Sequence, residues 1–135
     1  MDRLFENPAE RAGADSFDNA GKMRIVQELV PGRQITIAHI IANPDPVLYQ
    51  KMGLDPKLDY THAAIGVLTI SPAETAVIAA DIAMKNSSIE LGFVDRFSGT
   101  LIVTGLVADV ETSFRAIADY FRRVLKFSVC DVTKT

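Results

Sequence analysis

The sequence is poor in the residues that most often build a chemical site. It has one cysteine, Cys130, and two histidines, His39 and His62, in 135 residues. A single thiol excludes an intramolecular disulfide and a thiolate metal cluster, and it suits a reducing cytosol. The histidines lack H-x-x-H or carboxylate spacing, and no nucleotide-binding glycine loop or nucleophile elbow occurs. The sequence therefore predicts no catalytic residue, no metal site and no cofactor.

Each of these residues has a structural interpretation that is favoured over a chemical one. His39 lies among isoleucines and is predicted to be a hydrogen-bonded strand histidine, with a ligand role as the alternative. His62 precedes a strand and is predicted to be a surface residue. Cys130 is predicted to be a half-buried structural thiol, since a nucleophile would need an activating base. Asp81 is predicted to be exposed or to cap a helix.

The chain also lacks an excess of positive charge and a long apolar run. Its formal net charge is −3 and its pI is about 5.3, which argues against a nucleic-acid partner. No apolar run approaches the roughly 18 to 20 residues that span a membrane. The amino terminus has acidic residues and no apolar region typical of a secretory signal, so a cytoplasmic location is expected.

The chain is rich in apolar residues. Its hydrophobic content is 48% and its mean hydropathy is +0.17, both high for one small domain. A domain of this size has much surface to cover, so part of the apolar material is expected to face other copies of the chain. The composition therefore predicts a homo-oligomer.

Two regions differ in composition. Residues 1–22 are polar and charged and are predicted to be a flexible extension, with a short docking helix as the alternative. Residues 23–135 are predicted to form one domain. Its expected elements are a hairpin of strands 23–30 and 33–42, a helix 45–53, a strand 61–70, a helix 71–85, a hairpin 90–105, a helix 109–125 and a strand 127–132.

This order predicts an α/β (α+β) fold. From Ala63 onward it is strand, helix, strand, strand, helix, strand, a ferredoxin-like βαββαβ core that follows an amino-terminal β-hairpin and a short helix. Ser71-Pro72-Ala73-Glu74 matches a helix capping box. Alternation predicts one strand face of Ile35, Ile37, His39 and Ile41, and another of Ile89, Leu91 and Phe93. The helical spacing of Val110, Phe114, Ile117, Phe121 and Val124 predicts one buried stripe.

The hairpin 90–105 carries the most distinctive loop, Asp95-Arg96-Phe97-Ser98-Gly99. Ser98 and Gly99 supply turn chemistry between two strands of period two. The loop is short and charged, and it has an exposed aromatic at its tip. It is therefore the main candidate for a functional surface.

A resemblance to a known family covers about Ile25 to Thr135. It is carried, in the family's order and spacing, by VPGRQITIAHIIANP, AIGVLTISPAETAVIAADIAMK, ELGFVDRFSGTLIVTG and the terminal CDVTKT. These segments resemble the shell proteins of bacterial microcompartments. More narrowly, they are similar to the circularly permuted shell proteins of ethanolamine, propanediol and choline utilisation compartments.

The resemblance implies a structural protein and not an enzyme. Shell domains of this kind form cyclic hexamers that tile edge to edge around enclosed enzymes. The implied partners are the chain itself, as a homohexamer, and other shell proteins, with encapsulated enzymes as a further candidate. The implied location is the microcompartment shell in the cytoplasm.

The resemblance also assigns positions in this chain. Asp95, Arg96, Phe97, Ser98 and Gly99 correspond to the segment around the six-fold axis, where bulky residues imply a narrow or closed pore. Lys85 corresponds to a lysine along hexamer edges, and Asn43 stands where ordinary shell domains often carry an arginine. In permuted relatives the first strand joins a small β-barrel over one mouth of the pore; here it comprises Ile25, Val26, Gln27, Glu28, Leu29 and Val30.

Two other functions stay open from the residues alone. The first is a ferredoxin-like oligomeric ligand-binding or regulatory module, in which the loop or a subunit interface binds a metabolite. The second is a small enzyme that uses Cys130 or a histidine. A stable dimer that binds a small ligand would favour the first of these over a shell hexamer.

Overall fold

The computed structural model describes residues 31–54 and 63–135. The predicted extension 1–22, the predicted strand Ile25 to Val30 and His62 lie outside these residues. The elements are β1 (Gln34–Ile41), α1 (Pro46–Lys51), β2 (Ala64–Ser71), a 3₁₀ turn (Ala73–Thr75), α2 (Ala76–Asn86), β3 (Glu90–Asp95), β4 (Thr100–Gly105), α3 (Val107–Arg123), β5 (Ser128–Val129) and β6 (Thr133–Lys134).

Within the described residues the strands form one mixed sheet. Its order is β3-β4-β2-β1-β5, and β6 also pairs with β1. β1 runs antiparallel to β2 and parallel to the two terminal strands. The predicted order from β2 onward is confirmed, and β1 lies between the first and last strands of that core. A central strand of the sheet is thus supplied by the segment that precedes the core in sequence.

The helices α2 and α3 pack on one face of the sheet and enclose the main core. Val110, Phe114, Ile117 and Phe121 of α3 are completely buried, as their spacing predicted. Val124 is 49% exposed, so its predicted place in the stripe is wrong. The reason is that α3 ends at Arg123, and the chain then turns through Lys126 at a φ of 62°.

α2 lies close to the sheet because its inward face consists of small side chains. Its buried residues are Ala76, Ala79, Ala80 and Ala83. The predicted capping box at Ser71–Glu74 is wrong, because Ser71 still belongs to β2 and no side chain caps the helix. A 3₁₀ turn precedes α2 instead, and the Thr75 hydroxyl donates to the Pro72 carbonyl oxygen over 2.6 Å.

α1 covers part of the opposite face of the sheet. Asp45 caps it by accepting a hydrogen bond from the Val47 amide over 3.0 Å, and Pro46 opens it, as predicted. Tyr49 and Leu54 form a second, smaller core with Ile65 of β2. The Tyr49 hydroxyl donates to the Ala63 carbonyl oxygen and ties this region to the start of β2.

Two β-bulges break the predicted alternation of the strands. In β1 the register shifts between Ile35 and Ile37, so Ile35 faces the main core together with Ala38 and Ile40. Ile37 is 49% exposed, and the predicted face of Ile35, Ile37, His39 and Ile41 is therefore wrong. An extra residue in one strand moves every side chain beyond the bulge to the opposite face of the sheet from the one that strict alternation predicts.

The second bulge lies at Gly92 in β3. There Leu91 pairs with Val103 while Phe93 pairs with Ile102, so the predicted common face of Ile89, Leu91 and Phe93 is also wrong. Of the predicted terminal strand 127–132 only β5 (Ser128–Val129) is formed, and β6 (Thr133–Lys134) follows beyond its predicted end. The interruption falls opposite the bulge of β1, since Val129 pairs with Ile35 and Thr133 with His39.

We expect Val110→Ala to lower the free energy of unfolding by about 2 kcal/mol, because it removes buried methyl groups and leaves a cavity. Val124→Ala is the matched control and should cost less than about 0.5 kcal/mol, because that side chain is half exposed. Urea denaturation at one protomer concentration measures both. Equal losses would contradict the position of Val124 outside the core.

Candidate functional site

His39 and Cys130, both predicted to be structural, have surroundings that fit this role. The His39 ring places Nδ1 2.6 Å from the Thr133 hydroxyl and Nε2 3.0 Å from the Thr135 hydroxyl, so it is a hydrogen-bonded strand histidine as predicted. Cys130 is half-buried, and burial raises the pKa of its thiol, which disfavours the thiolate. Across residues 31–54 and 63–135 no group of three or more histidine, cysteine and carboxylate side chains could hold a metal ion.

In the part of the chain that the structure describes, no helix is long and apolar enough to cross a bilayer.

The loop between β3 and β4 is a compact turn organised by Asp95. The Asp95 carboxylate accepts a hydrogen bond from the Phe97 amide over 2.8 Å, and the Asp95 carbonyl oxygen accepts one from the Gly99 amide over 2.9 Å. The Phe97 amide, and after it the Ser98 hydroxyl, hold the pKa of Asp95 below its usual range. The carboxylate therefore stays ionised and bonded to the loop at neutral pH.

Gly99 fixes this turn on the end of β2. Its carbonyl oxygen accepts a hydrogen bond from the Ile70 amide over 2.9 Å, and its φ is +78°. A Cβ atom at this position would collide with the Ile70 carbonyl oxygen. Only glycine fits both the backbone conformation and the close approach. The loop that joins β3 to β4 is therefore also bonded to β2.

The tip of the turn presents a cation–π pair to solvent. Phe97 is 80% exposed, and the Arg96 guanidinium carbon lies 4.9 Å from the centre of its ring. The Ser98 hydroxyl donates to the Thr100 hydroxyl over 3.1 Å and closes the other side of the loop. The prediction of a short charged loop with an exposed aromatic is confirmed. The cation–π contact and the hydrogen bond to β2 were not predicted from the sequence.

The two positions assigned to the hexamer edge lie on other parts of the surface. Lys85 is in the last turn of α2, where its Nζ is 2.9 Å from the Asp81 carboxylate. Asp81 is exposed, as predicted, and its ion pair with Lys85 was not predicted, although a spacing of four residues is typical of such pairs in helices. Asn43 is exposed in the bend after β1. No hydrogen bond or ion pair joins Asn43 to Lys85 within residues 31–54 and 63–135.

We expect Gly99→Ala to destabilise the fold and to displace the loop, because the added methyl group collides with β2. Gly53→Ala is the matched control, since Gly53 also has a positive φ, +73°, but nothing lies within 4 Å of the added atom. The control should cost about 1 kcal/mol, and Gly99→Ala roughly 2 kcal/mol more. Urea denaturation compares the two, and equal losses would contradict the attachment to β2.

Comparisons with known proteins agree with this fold. The family model described as BMC domain matches residues 64–133. The bacterial microcompartment shell protein PduU of Salmonella typhimurium is 43% identical over 112 residues, which are 83% of this chain and 93% of PduU. The shell protein CutR of Streptococcus intermedius is 46% identical over 120 residues, 88% of this chain and 99% of CutR.

A solved structure described as a CutR flat hexamer matches with a TM-score of 0.71 and 46% identity, covering 83% of this chain and 99% of that one. The family model begins at Ala64, whereas the central strand β1 precedes that residue, an arrangement consistent with a permuted order of elements. The chain therefore belongs to the bacterial microcompartment shell proteins, and within them to the circularly permuted type represented by PduU and CutR.

Proposed function

We propose that this shell protein assembles into a cyclic homohexamer that tiles into the wall of a bacterial microcompartment. The observation that carries the proposal is the 46% identity and matching fold shared with CutR, which forms a flat hexamer. Other shell proteins of the same wall and encapsulated enzymes are its proposed further partners. Its role is structural, with control of the central pore as a second duty.

The distribution of exposed apolar side chains supports assembly. Val77, Ile78 and Met84 lie on the outer side of α2, and Ile37 and Phe93 lie on the face of the sheet opposite α2 and α3. Large apolar side chains at several separate places are typical of surfaces that other subunits cover. A ring joins two different surfaces of each subunit, so exposed apolar residues on more than one side fit cyclic symmetry.

The proposed pore element is the loop Asp95, Arg96, Phe97, Ser98 and Gly99. In a ring, six copies of this loop surround one axis, and each contributes a large exposed tip of Arg96 and Phe97. The attachment of Gly99 to Ile70 supports a fixed position for these tips. Bulky tips on a rigid turn make a narrow or closed pore, in contrast to small glycine-rich loops.

The proposed edge positions are Lys85 and Asn43. Lys85 is largely exposed even while paired with Asp81, so its ammonium group can reach a neighbouring hexamer. Asn43 has no charge, and we propose that it makes a weaker edge contact than an arginine would. The proposed barrel strand, Ile25 to Val30, lies outside the described residues and is assigned by family resemblance alone.

Native mass spectrometry tests the assembly directly. We expect a species with six times the chain mass of 14.7 kDa, and electron microscopy should show rings and sheets with Phe97 beside the axis. A stable dimer would refute the shell hexamer, and a ring with Phe97 far from the axis would refute the pore assignment.

A second prediction concerns the edge. We expect Lys85→Ala to reduce the formation of sheets while the mass of the ring is unchanged, because it removes a contact between rings and not within them. Lys51→Ala is the control, since Lys51 is also an exposed lysine in the last turn of a helix. Negative-stain micrographs at matched concentration measure the sheet content. If both variants form sheets like the unmodified protein, Lys85 is not an edge residue.

A further inference from the structure

We propose that the amino-terminal segment 1–22 docks on the outer side of α3 of its own chain, along residues 115–126. This surface belongs to the helical layer and is separate from the loop between β3 and β4. The docking takes place within one chain, so it does not depend on the proposed hexamer. It assigns a role to a segment that precedes the family resemblance, which begins at about Ile25.

The first support is the charge of this surface. Residues 115–126 contain one acidic side chain and four exposed basic ones, namely Arg115, Arg122, Arg123 and Lys126. The acidic residue, Asp119, is already engaged, since its carboxylate accepts hydrogen bonds from Arg123 over 2.9 and 2.7 Å. Basic residues in the last turn complement the helix dipole, but Arg115 lies in the middle of α3, where the dipole gives no reason for it. The surface thus has an excess of positive charge in a chain whose net charge is −3.

The second support is an apolar strip beside these charges. Ala116, Tyr120 and Val124 are spaced by four residues, so they lie on one side of the helix. Tyr120 is 38% exposed and Val124 is 49% exposed. The Tyr120 ring meets the buried Phe121 ring edge to face, with 6.2 Å between their centres. An apolar strip flanked by cations fits a partner that combines apolar side chains with negative charge.

The third support is the composition of the segment. Residues 1–18 have two basic residues, Arg3 and Arg11, and five acidic ones, which are Asp2, Glu6, Glu10, Asp15 and Asp18. The same residues include the apolar side chains of Leu4, Phe5 and Phe17. The segment therefore offers the charge and the apolar contacts that the outer side of α3 can accept.

The fourth support is the place where the segment joins the fold. The Arg33 carbonyl oxygen accepts a hydrogen bond from the Ser128 amide over 3.0 Å. The preceding residue, Phe127, donates its amide to the Phe121 carbonyl oxygen over 2.9 Å. The chain therefore enters the sheet beside the carboxyl-terminal end of α3.

The connecting chain is long enough for the segment to reach the whole surface. The stretch 22–31 can span up to about 30 Å when extended. Residues 115–126 extend over about 17 Å of helix. Covalent attachment also keeps the local concentration of the segment high, so weak contacts are sufficient for docking.

Carbodiimide cross-linking of the full chain tests the docking, because the reagent joins carboxylates to lysine amines that touch them. Lys126 is the lysine of the docking surface. Lys51 in α1, which covers the opposite face of the sheet, is the reference. Peptide mass spectrometry measures the yield of links from the acidic residues of 1–18 to each lysine.

Two variants each change one feature of the surface, and each has a matched control. Arg115→Glu reverses a charge on α3, and Lys51→Glu reverses one on α1. Tyr120→Ser removes an exposed apolar group from α3, and Val47→Ser removes one from α1, where Val47 is 54% exposed. Thermal melting followed by circular dichroism establishes that each variant is folded.

We expect links from the segment to Lys126 in the unmodified protein, and a yield at least about threefold lower in Arg115→Glu and in Tyr120→Ser. A moderate reduction is expected because single exposed contacts are weak. The two controls should leave the yield at Lys126 unchanged.

Equal yields at Lys126 and Lys51 in the unmodified protein would overturn the proposal, and so would a yield at Lys126 that neither α3 variant lowers. An equal mixture of isotope-labelled and unlabelled chains, refolded together, separates docking within a chain from docking between copies. Links between a labelled and an unlabelled chain would place the segment on a second copy and overturn docking within one chain. A failure of ring assembly would refute the proposed function alone, since a link within one chain forms in a monomer as well as in a ring.

Discussion

The close approach of Gly99 to the end of β2 is the contact on which the geometry of the candidate site depends. Because no side chain intervenes, the Gly99 carbonyl oxygen reaches the Ile70 amide. The turn between β3 and β4 is thereby bonded to β2 as well. β2 is in turn held between β4 and β1 and packed under α3. The tip of Arg96 and Phe97 is therefore positioned by the most buried part of the fold, even though both side chains are at the surface.

The features predicted correctly depend on local chemistry and strong periodicity. The buried stripe of α3, the cap of α1 at Asp45 and the hairpin around Asp95–Gly99 are each determined by residues near one another in sequence. The wrong predictions fall where a bulge places an extra residue in a strand or where a helix ends earlier than its periodicity suggests. Thr36 and Gly92 lie at bulges that a strict period of two cannot represent, and Val124 follows a helix that ends one residue earlier. Partners distant in sequence, such as Gly99 and Ile70, have no local signal.

Within the described residues, the histidine and the cysteine that could do chemistry have structural surroundings. His39 joins β1 to the carboxyl-terminal residues through two hydroxyl groups, and Cys130 lies where its thiolate is disfavoured. A shell subunit benefits from such a surface, because reactive groups repeated over a whole wall would meet every metabolite of the compartment. The proposed pore would select solutes by size through side chains held at fixed positions, and the hydrogen bonds of the turn hold its backbone in place.

The contacts of the two charged residues explain how one short turn holds its shape at the surface. The Asp95 carboxylate is bonded to the amide of Phe97, and the phenyl ring of the same residue supports the Arg96 guanidinium. Phe97 thus connects the anion at the base to the cation at the tip through its backbone and its side chain. A change of the Phe97 side chain therefore removes the contact with Arg96 and leaves the backbone hydrogen bond to Asp95 available.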